Sequence, residues 1–88
     1  MPKVSQFFGI DIILRSREDP NYLAHFHARY GDEEVSIAIE TLAVLAGKMN
    51  PRALALVIEW AFQHRPELQQ AWDDLKAGRS PRKIEPLR

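Results

Sequence analysis

Between Gly9 and Arg15 the apolar residues Ile10, Ile12 and Leu14 alternate with Asp11, Ile13 and Arg15. A period of two with β-branched enrichment predicts a strand. The alternation returns over His25–Tyr30 and again over Glu33–Glu40. In the latter, Val35, Ile37 and Ile39 fall on one face and Glu34, Ser36, Ala38 and Glu40 on the other. The pattern also allows a short fourth strand over Leu42–Leu45. After Asn50 the period becomes helical. Asn50-Pro51 has the form of an N-cap followed by proline at the first helical position. Leu54, Val57, Ile58 and Ala61 recur at helical spacing, and Ala53, Leu56 and Trp60 widen the apolar arc beyond one face. Such a helix is covered on two sides, by the sheet and by either a second helix or a partner. Pro66 restarts the chain as that second helix, with Leu68, Ala71, Trp72 and Leu75 at i, i+3, i+4 and i+7. Gly78 and Pro81 end it. In the tail, Ile84 and Leu87 are the apolar residues available to pin it to the body.

Gly31-Asp32 separates the second and third strands and suits a two-residue hairpin loop with positive φ at its first position. That loop fixes the register. Tyr30 opposes Glu33, Arg29 opposes Glu34, Ala28 opposes Val35, His27 opposes Ser36 and Phe26 opposes Ile37. Every pair matches in character, and a slip of one residue would turn the apolar set outward. Phe26, Ala28, Val35 and Ile37 therefore face the core, and His25, His27, Arg29, Glu34 and Ser36 share the other side. Ser16–Leu23, with Asp19-Pro20-Asn21, reads as a polar turn. Strands followed by helices define an α+β fold: an antiparallel β-meander of three to four strands, then two α-helices packed on one face. One domain spans 1–88, with the meander over about 4–46, a helical hairpin over about 50–78 and a tail over 79–88.

Composition sharpens this picture. An 88-residue chain buries only about 60–65 % of the surface its unfolded form exposes, so a partner or homodimer is a reasonable supplement to the core. There is no cysteine, which removes disulfides and thiolate zinc sites. No apolar run resembles a signal peptide or a membrane span, and a cytoplasmic location is expected. Twelve basic residues cancel twelve acidic ones, which argues against strong non-specific nucleic-acid binding and, with no helix-turn-helix signature, against DNA reading by this chain alone. The charges are unevenly placed. Asp32, Glu33, Glu34 and Glu40 crowd the middle, while Lys76, Arg79, Arg82, Lys83 and Arg88 crowd the end.

The chemistry-bearing cluster is His25-Phe26-His27-Ala28-Arg29-Tyr30. Two histidines on one strand face lie roughly 6.5–7 Å apart at Cα, and histidine changes charge near neutral pH. Two readings compete with a plain polar sheet face. In the first, His25 and His27 converge on a metal, with Asp11, Glu34 or Glu40 closing the site; two histidines alone do not define one, and no cofactor is assigned. In the second, His25, His27 and Arg29 act as base, acid and cation on an RNA phosphodiester, with Tyr30 stacking on a base. Tyr30, Trp60 and Arg52 are the candidate binding residues. Trp60 and Trp72 belong to the core, and either becomes an interface anchor where the helices leave it uncovered. His64 reads as a packed or capping residue.

Four separated blocks resemble a small bacterial family, domain of unknown function 4160: Val4 to Ile10, His25 to Gly31, Pro51 to Trp60 and Lys83 to Leu87. The chain departs from the family at Ala24, where members carry proline, and at Glu18-Asp19, where they carry Asp-His. A third histidine able to join His25 and His27 is thus missing. The resemblance implies no assigned reaction. It does imply a two-gene arrangement similar to toxin–antitoxin pairs. The leading expectation is therefore an interaction protein that binds a small protein partner encoded nearby, or a second copy of itself. The alternative is a small endoribonuclease or metal-dependent hydrolase. An interaction protein should expose apolar surface on its helical layer; an enzyme should show a pocket lined by His25, His27 and Arg29.

Overall fold

A computed structural model describes residues 2–15 and 23–88. Five strands, β1 (Lys3–Phe7), β2 (Ile10–Ile13), β3 (His25–Tyr30), β4 (Glu33–Ala38) and β5 (Val44–Lys48), are followed by α1 (Pro51–Gln63) and α2 (Arg65–Lys76). The strands form one antiparallel sheet in the order β1-β2-β3-β4-β5. The meander is therefore longer than three to four strands: β1 precedes the first expected strand, and the fourth lies at Val44–Lys48 rather than Leu42–Leu45. The polar turn expected over Ser16–Leu23 lies, apart from Leu23, outside the described residues.

Between β3 and β4 all five expected pairs are present, from Tyr30↔Glu33 to Phe26↔Ile37, and His25↔Ala38 extends them. Gly31 has φ +63°, the left-handed backbone that the first position of this tight loop requires. Phe26, Ala28, Val35 and Ile37 are fully buried. They continue into Ile10, Ile12 and Leu14 and meet Trp60, whose ring lies 6.1 Å from Phe26 and 5.4 Å from Phe7.

Asn50 caps α1 as expected: its Oδ1 accepts from the backbone N–H of Arg52 (2.9 Å) and Ala53 (3.3 Å), with Pro51 at the first turn. Ala53, Val57, Trp60 and Ala61 form its buried face. A single residue, His64, joins α1 to α2, too short a link for the two helices to fold back as a hairpin. α2 instead runs along the end of the sheet where β3 begins and β4 ends. Arg65 near its start donates to the Glu40 carbonyl (3.0 Å), and Trp72 in its middle reaches the His25 ring (5.1 Å).

The two edges of the sheet differ. The tail covers β1: the Ile84 N–H donates to the Val4 carbonyl (2.7 Å), Lys83 Nζ donates to the Lys3 carbonyl (2.6 Å), and Trp60 Nε1 donates to the Glu85 carbonyl (2.7 Å). Ile84 and Leu87 are buried there. All five residues of β5 are exposed.

Candidate functional site

Alternation along β3 sends His25, His27 and Arg29 to the face opposite Phe26 and Ala28. Pairing extends that face into two rows. One runs Ile13, His27, Ser36 and Ala46, and the next runs Asp11, Arg29, Glu34 and Lys48. The histidine rings meet edge to face with centroids 5.1 Å apart. They do not sit on an open polar face. His25 is 3 % exposed and His27 is 9 % exposed. The Trp72 ring packs on His25 from α2, and Arg15 and Glu34 crowd His27.

Arg15 is the group that the sequence reading left out of the site. Its Nη1 and Nη2 donate to the two carboxylate oxygens of Glu34 at 2.8 and 3.0 Å, and Nη1 also donates to His27 Nδ1 at 3.0 Å. The bidentate hydrogen bond from Arg15 holds the Glu34 carboxyl below the usual glutamate range. Its partial burial opposes this, and the positive charge of Arg15 adds to it. Arg29 belongs to a neighbouring group: it lies 3.4 Å from Asp11, which also faces Lys3 at 3.6 Å. The structure thus joins His25, His27 and Arg15, and sets Arg29 one row away.

Two neighbours act on the His27 ring: the Arg15 guanidinium, which only donates, favours a bare Nδ1 at 3.0 Å, and Glu34 Oε2, which only accepts, lies 3.4 Å from the same nitrogen. A carbonyl oxygen only accepts. His25 Nδ1, 2.8 Å from the Leu23 carbonyl, therefore carries a proton. A metal on His27 Nε2 would demand a proton on Nδ1, against the Arg15 donor. Among the described residues no group of three or more His, Asp or Glu is placed to hold a metal ion.

The other candidates separate. Tyr30 is 38 % exposed at the end of β3, and Arg52 is exposed on the first turn of α1. Trp60, expected to bind a partner, is fully buried between Phe7, Phe26 and the tail. Its large ring fills the core under α1 and offers no surface to a ligand. His64 caps nothing with its side chain; its Nδ1 lies 2.7 Å from Glu67 Oε1 and its ring packs near Trp60. Three of the surface depressions are bounded as follows by described residues. The one of about 480 Å³ lies between Leu23, Ala38, Ile39, Glu40 and the start of α2. None of the three is lined by His25, His27 or Arg29. Among the described residues no helix is long and apolar enough to cross a membrane.

Residues 9–73, the greater part of the chain, match the model of the family described as Domain of unknown function (DUF4160), and the chain belongs to that family. The match takes in β2 through most of α2 and leaves β1 and the tail outside it. No curated protein and no solved structure matches the chain.

Proposed function

We propose that this chain is a protein-interaction component of a bacterial, toxin–antitoxin-like two-gene module, acting in the cytoplasm on a small protein encoded nearby or on a second copy of itself. The observation that carries the reading is the apolar surface left open along β5 and α1. Val44 and Leu45 are 44 % and 40 % exposed, and Phe62 is 65 % exposed. Exposed large apolar side chains on two consecutive elements are candidates for a recognition surface. The enclosed histidines and the paired Arg15 and Glu34 favour a structural role for the opposite face.

The test is a native mass spectrum of the protein purified from its host with the neighbouring gene intact. A stoichiometric second chain, lost in Leu45→Lys, supports the reading. A bare monomer in both samples would sink it.

One observation favours acid–base chemistry as a second reading. The His25 and His27 rings meet with centroids 5.1 Å apart beside the Arg15 guanidinium, two proton carriers and a cation of the kinds that cleavage of an RNA phosphodiester needs. Incubating labelled RNA with the chain and with His25→Ala and His27→Ala separates the two. Cleavage lost in both variants would favour the enzyme, and no cleavage by the unaltered chain would leave the interaction reading alone.

A further inference from the structure

We propose that the C-terminal tail is a displaceable strap over a strand-docking groove along β1, and that the occupant it gives way to is an extended segment of a protein partner. The inference rests on the interaction reading above, but it places a contact on the opposite edge of the sheet from β5.

The tail leaves part of the β1 edge unmet. Phe8 and Gly9 have φ +49° and +79°, the two positive values of a two-residue type I′ loop. Phe7 and Ile10, which flank it, therefore exchange their backbone hydrogen bonds. Alternation then turns the N–H and C=O of Gln6 away from β2. The Val4 carbonyl also points outward, where the Ile84 N–H reaches it at 2.7 Å. The tail runs in the direction of β1: Lys83 bonds the Lys3 carbonyl, Ile84 bonds Val4, and the Glu85 carbonyl meets Trp60, whose ring packs on Phe7. In a parallel pair the residue two past Ile84 would give its N–H to the Gln6 carbonyl. That residue is Pro86, which has no N–H. The tail forms one backbone bond to β1, and the outward groups of Gln6 meet no backbone group of the tail.

The attachment is also light. Arg79 is fixed to α2: its N–H donates to the Asp74 carbonyl (2.8 Å) and its guanidinium to the Asp74 carboxylate (3.0 Å). Hydrogen bonding to β1 begins only at Lys83. Between these points Ser80, Pro81 and Arg82 make no hydrogen bond among the described residues, and they form the hinge. Beyond it the strap is held by the buried side chains of Ile84 and Leu87 and by the bonds to Lys3, Val4 and Trp60. A segment with so few contacts opens locally, well short of global unfolding.

The seat of the tail defines the partner. It takes an extended backbone parallel to β1, an apolar side chain where Ile84 sits and a carbonyl for the Trp60 indole N–H. A segment with an N–H at the place of Pro86 adds a bond to Gln6 and outbinds the tail. This is strand addition to a sheet edge, and the tail keeps the edge covered until a partner arrives.

The test is NMR of the full chain, unaltered and with Ile84→Asp and Leu87→Asp together, with circular dichroism to confirm that the variant is folded. The probes are a synthetic peptide spanning 82–88 and the same peptide with Pro86→Val. In the double variant the Trp60 indole N–H signal should shift as the Glu85 carbonyl leaves it. Added peptide should move the amides of Val4–Phe7 and return the indole signal. The Pro86→Val peptide should bind about three- to tenfold more tightly, through one added hydrogen bond. The unaltered chain should bind both peptides more weakly, because its own tail competes at an effective concentration on the order of mM. An unmoved indole signal, peptide bound away from β1 or no gain from Pro86→Val would overturn the proposal. A second measurement needs no variant: Ile84 should exchange its amide proton faster than Phe7 does, and exchange of Ile84 at the rate of global unfolding would overturn the strap. The peptide requires no partner from the host, so its failure overturns this groove and leaves the mass-spectrum test of the interaction reading untouched.

Discussion

Arg15 and Glu34 are joined by two hydrogen bonds of 2.8 and 3.0 Å that pass over His27 and tie the end of β2 to β4. The pair sets a pH dependence. Glu34 binds a proton less readily in the folded chain than in the unfolded one. As pH falls below about 4.5, the usual value, the unfolded state takes up its proton first. The stabilisation is therefore complete at higher pH and fades as pH drops through the lowered folded value. Glu34→Gln should show a shallower loss of urea midpoint between neutral and acid pH than the unaltered chain. Parallel curves would mean that the pair contributes nothing.

Gly47 has φ +81°, and a Cβ there would collide with the Glu34 carbonyl oxygen. Gly31 has φ +63° and open space around it. Gly31→Ala should cost the left-handed backbone penalty alone, about 1–2 kcal/mol. Gly47→Ala should cost distinctly more, since backbone must shift as well. Chemical denaturation of the two variants measures the difference, and equal losses would refute the steric argument.

Ser5 is buried on the core side of β1 opposite Ile12, and its Oγ has no hydrogen-bond partner among the described residues. Ser5→Ala removes an unsatisfied hydroxyl without changing the backbone. Stability should rise by about 1 kcal/mol, read as a higher denaturation midpoint. A loss of that size would show that the hydroxyl is paired in solution.

Trp60 anchors the tail through its indole N–H on the Glu85 carbonyl. Trp60→Phe keeps an aromatic ring in the core but loses that bond and some packing, at a cost of about 1–3 kcal/mol. Amide exchange at Ile84, whose N–H bonds Val4, should accelerate beyond that of the β3–β4 pairs. Uniform acceleration would instead assign the loss to the core as a whole.

The β3–β4 hairpin was legible because both strands bury one face and the loop between them has two residues, so pattern and turn chemistry determine one register. β1 was not. Its register shifts between Lys3 and Ser5, and Val4 and Ser5 are both buried, which destroys the alternation that betrays a strand. β5 was placed early because none of its residues is buried, and periodicity records burial rather than backbone pairing. The histidine face was legible as a face. Its enclosure was not, since Trp72 arrives from 47 positions away in sequence and Arg15 acquires its role only once β2 and β4 flank β3.

The clasp between Val4 and Ile84 also imposes an order on synthesis. Eighty positions separate the two residues, and at roughly 5–20 residues per second the ribosome takes on the order of 4–16 seconds to cross them. Throughout that interval β1 has no cover on its outer side, and a nascent chain offers this edge to whatever strand or chaperone stands beside the exit tunnel.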